Sequence, residues 1–234
     1  LTIAAGVALS RSLGRSPWFG VLAGGAVGIC GASAAAGLAA VLPRHEKSDA
    51  DTVLTIIGVT ALSTAAMIAY PIIGHAVGLD DRGIGFFLGV TIHDVAQVVG
   101  AGYSVSDQTG DIAVVVKLFR VLLLLPVVLG VTFAVSIAAR RGGSGRQGVP
   151  LFVIGFTALV ALASLGLIPA DAAAHLSTAS RWCLVIAMAG IGINTSLGEI
   201  RELGYRPAAI LVGTTVFIAA LGLAGALLLF TPAR

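Results

Sequence analysis

Charge is scarce in this chain. Only 11% of its 234 residues are Asp, Glu, Lys or Arg, against about 25% in soluble domains. Aromatic residues reach 6%, and there are two cysteines. With a mean hydropathy of +1.02, this scarcity excludes an ordinary soluble domain and implies an all-α polytopic membrane protein. Cys30 and Cys183 both lie in apolar stretches, so neither a disulfide framework nor a zinc pattern is present. No cofactor or metal-ligand motif is legible. The net charge of +3 is spread over loops, which excludes nucleic acid and leaves the lipid bilayer as the surrounding partner. No signal peptide is visible.

Long apolar runs are plentiful. Breaks in them predict spans at about 17–42, 52–77, 83–103, 112–138, 150–168, 181–197 and 207–230. Residues 1–10 are too short to cross and read as the tail of a span that begins before them. The whole of 1–234 reads as one transmembrane transporter domain. If every run crosses, the odd loops hold Arg11, Arg15, Arg82, Arg140, Arg141, Arg146, Arg201 and Arg206. The even loops and tail hold Arg44, Lys47, Arg181 and Arg234. The excess predicts cytoplasmic odd loops and an external C-terminus.

Against this background two segments stand out. The run 17–42 carries Gly20, Gly24, Gly25, Gly28, Gly31 and Gly37, each costing a helix interior about 1 kcal/mol relative to alanine. Small residues permit close helix packing. Alternatively the helix is broken over 28–33, with free N–H groups turned toward a substrate; Gly28, Cys30, Gly31 and Ser33 are then substrate-binding candidates. The second segment is Ile92-His93-Asp94-Val95-Ala96-Gln97-Val98, with ionisable groups at mid-span, where they usually mark a substrate, ion or proton path. Read as one helix, it sets His93 and Gln97 on a common face. His93 and Asp94 are candidates for proton coupling, and Gln97 for substrate contact; a polar clasp between helices is the plainer alternative. The segments from Gly25 and from Gly89 echo each other, which hints at internal pseudo-symmetry. Lys117 and Arg120 share a face near the start of their span and either snorkel to the interface or line a path for an anion. Asn194, in a third Gly/polar segment, is either a helix C-cap or a substrate contact.

The stretches Gly28-Ile-Cys-Gly-Ala-Ser-Ala34, Ile92-His-Asp-Val-Ala-Gln-Val98 with Ala101-Gly102, Val116-Lys-Leu-Phe-Arg120, and Ala187-Met-Ala-Gly-Ile-Gly-Ile-Asn194 leading to Gly204-Tyr-Arg-Pro207 resemble the YeiH-type sulfate exporter family of bacterial inner membranes. The resemblance covers almost the whole chain. It implies about eleven spans, of which this chain would lack the first three and part of the fourth. It also implies a helical bundle with discontinuous helices, similar to the inverted-repeat fold of cation/proton antiporters and bile-acid transporters. Cys30, Gly31, Ser33, His93, Asp94, Gln97, Lys117 and Arg120 match its motifs.

The expected function is therefore a secondary transporter exporting a small anion, sulfate or an organosulfonate, with protons or sodium as coupling ions and homo-oligomer formation left open. A cation/proton antiporter with Asp94 as carrier is the alternative. From another class comes an intramembrane serine hydrolase: Gly31-Ala-Ser33-Ala resembles a Gly-x-Ser nucleophile context, with His93 as base.

Overall fold

The computed structural model describes residues 1–141 and 205–230, with scattered positions between 155 and 186. Its helices are α1 (Thr2–Ser12), α2 (Pro17–Gly28), α3 (Ala32–Ala39), α4 (Ser48–Ala76), α5 (Asp81–Thr91), α6 (Val95–Tyr103), α7 (Asp107–Leu122), α8 (Leu124–Arg141) and α9 (Tyr205–Phe230). Among the described residues, three stretches are long and apolar enough to cross a membrane: Ser48–Ala76, Asp107–Ile137 and Tyr205–Phe230.

Length separates these from the rest. At about 1.5 Å per residue, α4 extends about 43 Å, whereas α2, α3, α5 and α6 reach only about 18, 12, 16 and 14 Å. None of the four spans a hydrocarbon core of about 30 Å. They pair instead into two hairpins.

The run 17–42 does not cross as a single span. Its two ends meet: Arg15, just before α2, donates through Nη2 to Asp51 Oδ1 in the first turn of α4 at 2.5 Å. Deeper in, the Leu38 side chain of α3 lies against Gly25 of α2, which requires α3 to run back beside α2. The run 83–103 turns back in the same way. Ser106, after α6, donates to Asp81 Oδ2 at the start of α5 at 2.6 Å, and Thr109 Oγ1 donates to Asp81 O at 3.1 Å. The break near residue 30 is expected from the glycines; the reversal is not, because hydropathy reports depth and carries no sign of direction.

The chain is thus ordered α1, hairpin one (α2–α3), α4, hairpin two (α5–α6), α7–α8. Since α4 runs the full thickness between the hairpins, their bases lie at opposite ends of the molecule and their tips point toward each other. Two hydrophobic cores follow. Hairpin one packs Phe19, Leu22, Val27 and Leu38 with Ile56 and Val59 of α4 and Ile210, Leu211 and Ile218 of α9. Hairpin two packs Ile84, Phe87, Leu88, Ile92 and Val98 with Ala66 of α4 and Ala226 of α9. Each long helix gives one half of its length to each core.

The reversals redistribute charge. Arg44 and Lys47 join Arg11 and Arg15 at the base of hairpin one, where Arg206 of α9 also lies beside Gly14. Arg82 instead belongs to the base of hairpin two, with Asp80, Asp81, Asp107 and Asp111. Among the described residues, cations outnumber acids at the first base, even with Glu46, Asp49 and Asp51 there, and acids outnumber cations at the second.

Candidate functional site

The two tips meet at the middle of the molecule. In hairpin one the helix stops at Gly28 and restarts at Ala32, with Gly31 at φ 67° and ψ −123°. Side chains rarely adopt that backbone conformation, so the turn depends on glycine. In hairpin two the helix stops at Thr91 and restarts at Val95, leaving Ile92, His93 and Asp94 outside regular helix. A Cβ built on Gly31 would lie 3.6 Å from His93 Cβ, so the tips lie about one side-chain carbon apart.

Each broken helix exposes a carbonyl end and an amide end. The carbonyl ends are held by two cations of α7. Lys117 Nζ donates to Ile29 O at 2.8 Å and to Ile92 O at 2.9 Å. Arg120 donates through Nε to Gly28 O at 3.1 Å, through Nη2 to Val27 O at 2.9 Å, and through Nη1 to Gly89 O at 3.1 Å and Ile92 O at 3.2 Å. Lys117 is 0% and Arg120 7% exposed. Both cations therefore bridge the two hairpins. They neither snorkel nor line an open entrance, because the orphan carbonyls of two half-helices, each carrying a partial negative charge, attract them inward.

The amide ends differ. Asp94 caps α6: its Oδ1 accepts from Ala96 N at 2.8 Å and Gln97 N at 3.3 Å. At α3 the N-cap is Gly31, which has no side chain to cap it, and the neutral Cys30 thiol lies against the Ala34 N–H. Ser33, in the first turn of α3, is exposed, and Cys30 is buried at the tip.

His93 and Gln97 do not share one helix face, because the helix begins only after Asp94. His93 is fully buried, with Nε2 3.1 Å from Thr215 Oγ1 of α9, while Gln97 Nε2 donates to Thr64 Oγ1 of α4 at 2.9 Å. His93 Nδ1 and Gln97 Oε1 are buried with no hydrogen-bond partner among the described residues. Ser63 Oγ accepts from the backbone N–H of both His93 (3.1 Å) and Asp94 (3.2 Å). Ser63, Thr64 and Thr215 were missed by the sequence reading; the legible signal was a polar pair at the centre of each long apolar run, Ser63-Thr64 and Thr214-Thr215.

The structure thus brings Gly28, Cys30, Gly31, His93, Asp94, Lys117 and Arg120 together, with Ser33 and Gln97 on the adjoining helical turns. Asn194 lies outside the described residues. No hydrogen bond joins Ser33 to His93 among the described residues, so the nucleophile–base pair of a hydrolase is not formed there. No group of three or more His, Cys, Asp or Glu side chains suited to a metal converges among them either.

The sequence model of the family described as conserved hypothetical protein 698 matches residues 1–211. The chain belongs to that family. It is 51% identical over 223 residues to a UPF0324 membrane protein of Chlorobaculum tepidum, a match covering 94% of this chain and 62% of the relative. It is 50% identical over 228 residues to the UPF0324 membrane protein TauZ of Paracoccus pantotrophus, covering 96% and 68%. A UPF0324 membrane protein of Rhizobium meliloti is 46% identical over 227 residues, covering 96% and 66%. The chain therefore spans about two thirds of the length of these relatives. No solved structure matches it. Family membership and the long apolar helices together make the chain a helical membrane protein.

Proposed function

We propose that the chain carries the substrate site of a multi-pass, inner-membrane secondary transporter that moves a small anion, sulfate or an organosulfonate. The observation that carries this reading is the meeting of two broken-helix tips around two buried cations. Irregular backbone at membrane depth is tolerated where it is enclosed by protein or lines a cavity. Half-helices ending at mid-depth are the usual way transporters present backbone groups to a solute. The two hairpins would enter from opposite faces as re-entrant elements. The cationic base of hairpin one would face the cytoplasm by the positive-inside rule; Arg82 is the lone Lys or Arg at the other base among the described residues. In this reading the amide end of α3, with the Cys30 thiol and Ser33 beside it, receives the anion. Lys117 and Arg120 fix the tips and supply positive field, and Asp94 accepts the coupling proton.

Uptake of labelled sulfate, taurine and sodium by proteoliposomes of the full-length protein, with and without a pH gradient, tests this. Accumulation of sulfate or taurine above protein-free vesicles is expected. A carboxylate at one tip keeps cation/proton antiport as the second reading, with Asp94 as carrier. Sodium movement without movement of either anion would establish it instead.

A further inference from the structure

Away from the tips, two cavities follow one another at the base of hairpin one. The first is a basic pocket of about 520 Å3, between the turn that joins α1 to α2 and the segment that joins α3 to α4. Arg15, Arg44, His45 and Lys47 line it, together with Trp18. Arg206 of α9 stands beside Gly14, which lines the same pocket. The acids there are Glu46 and Asp51, and Asp51 is paired with Arg15. Four Lys and Arg residues thus meet two carboxylates. The enclosed Nε of Arg15 has no hydrogen-bond partner among the described residues, so this guanidinium keeps a donor for a further acceptor. The second cavity is an apolar groove of about 230 Å3 between α4 and α9. Leu54 and Leu62 of α4 and Leu211 and Val212 of α9 wall it, with the small Gly58 and Ala61 on α4. Spacings of three and four residues put Asp51, Leu54, Gly58 and Leu62 on one face of α4. The groove therefore begins one turn below the basic pocket and runs inward for about 12 Å.

We infer that the two cavities together bind one anionic phospholipid, with its phosphate in the basic pocket and an acyl chain in the α4–α9 groove. Charge complementarity selects the headgroup: a phosphate diester carries one negative charge, and the pocket has cations in excess. Arg side chains suit phosphate oxygens in particular, and basic pockets between spanning helices hold anionic headgroups. Trp18 is the aromatic residue that belongs at that depth. The groove selects a lipid over a soluble phosphate, because it offers apolar surface and no polar side chain. A lipid so placed ties the base of hairpin one to α4 and α9. The site stands whatever solute the tips carry.

The test strips the full-length protein of lipid in an uncharged detergent. Labelled phosphatidylglycerol or phosphatidylcholine of the same acyl chains is then added, and retained lipid is measured after gel filtration at low salt. Phosphatidylglycerol is expected to be favoured at least about fivefold, the factor that one basic side chain at an anionic surface is worth. Arg44→Gln with Lys47→Gln should bring the two lipids near parity. Ala61→Phe, which fills the groove and leaves the pocket intact, should lower retention of phosphatidylglycerol by a similar factor. All three positions are exposed, and elution at the wild-type volume checks that each variant folds. Equal retention of the two lipids by the wild type overturns the inference, as does a preference that survives the double substitution. If Ala61→Phe changes nothing and glycerol 3-phosphate displaces the label as well as unlabelled phosphatidylglycerol does, the pocket serves a soluble phosphate and the lipid site is wrong.

Discussion

Hairpin one and hairpin two solve the same problem with different residues. In each, the first arm packs on a neighbour through a Gly-x-x-x-Gly stripe. A Cβ on Gly20 or Gly24 would come within 2.6 Å of Gly6 O or 2.7 Å of Thr2 O in α1, and one on Gly85 or Gly89 within 2.8 Å of Thr109 O or 2.6 Å of Ala113 O in α7. In each, the arm ends at mid-depth on carbonyls held by Lys117 and Arg120. The hairpins part at the residue that starts the returning arm: Gly31 in one, Asp94 in the other. The first sets only the neutral Cys30 thiol against its amides, and the second fills them with its own carboxylate. One architecture therefore leaves one amide end without a charged partner and gives the other a carboxylate.

The largest expected contrast is all-or-none. If the bases lie on opposite faces, single cysteines at Glu46 and Asp107, both exposed, in a background lacking Cys30 and Cys183, will label differently with an impermeant thiol reagent. Asp107→Cys should label on intact cells, and Glu46→Cys only after permeabilisation. Labelling of both from one face would end the comparison, because the hairpins would no longer be inverted copies.

Next comes the shared pin. Among the described residues, Arg120 is the one side chain that reaches carbonyls of both first arms with separate nitrogens. Arg120→Ala leaves Val27 O, Gly28 O and Gly89 O without this donor while Ile92 O keeps Lys117, so a loss of about 3 kcal/mol or more is expected, at about 1–3 kcal/mol per unpaired buried group. Arg120→Lys should recover little, since an ammonium lacks the planar fork. Unfolding in detergent by denaturant reads both. A cost below about 1 kcal/mol, within the range of an exposed pair, would mean that the hairpins are held by apolar packing.

Smaller effects distinguish the two starting residues. Gly31→Ala forces a side chain into φ 67°, costing about 1–3 kcal/mol. Asp94→Ala removes a cap, costing about 0.5–2 kcal/mol, and Asp94→Asn should cost less, because the amide oxygen still accepts. If Gly31→Ala is silent, the turn is not as tight as its backbone angles require.

How much of this was legible in the sequence follows from the same comparison. The break in hairpin one shows as a glycine cluster, because helix propensity penalises Gly28 and Gly31 directly. Ile92-His93-Asp94 contains no glycine or proline, so it passed for continuous helix; the readable sign was Asp94 followed three residues later by Gln97, an N-cap pattern with an unusual cap. The echo between segments was real but shifted: the structure pairs Gly28 with Thr91 and Gly31 with Asp94, one residue from the alignment that the sequence suggested. The reversals were illegible, because a half-span of apolar residues has the same composition whether the chain goes on or turns back. Lys117 and Arg120 were visible as charges, but their partners are main-chain carbonyls about 25 to 93 residues away in sequence, which no local pattern encodes.

The smallest effects concern the bases. Hairpin two is tied by Ser106, whose Oγ donates to Asp81 and accepts from Thr109 N at 3.1 Å as the cap of α7. Hairpin one is tied by the ion pair of Arg15 with Asp51, supported by His45 Nε2 at 3.6 Å from Asp51 Oδ2. The Arg15 side chain is 20% exposed and that of Asp51 4%, so one end of the pair remains open to solvent and salt. Ser106→Ala removes a neutral cap and should cost about 1 kcal/mol at any ionic strength. Arg15→Gln keeps a donor toward Asp51 and removes only charge. It should cost less than about 1 kcal/mol, and that cost should shrink further as salt is raised. Stability measured for both variants at low and high salt separates them. A Ser106→Ala effect that fades with salt, or an Arg15→Gln effect that exceeds it and does not fade, would show that the bases are fastened by the opposite kinds of force.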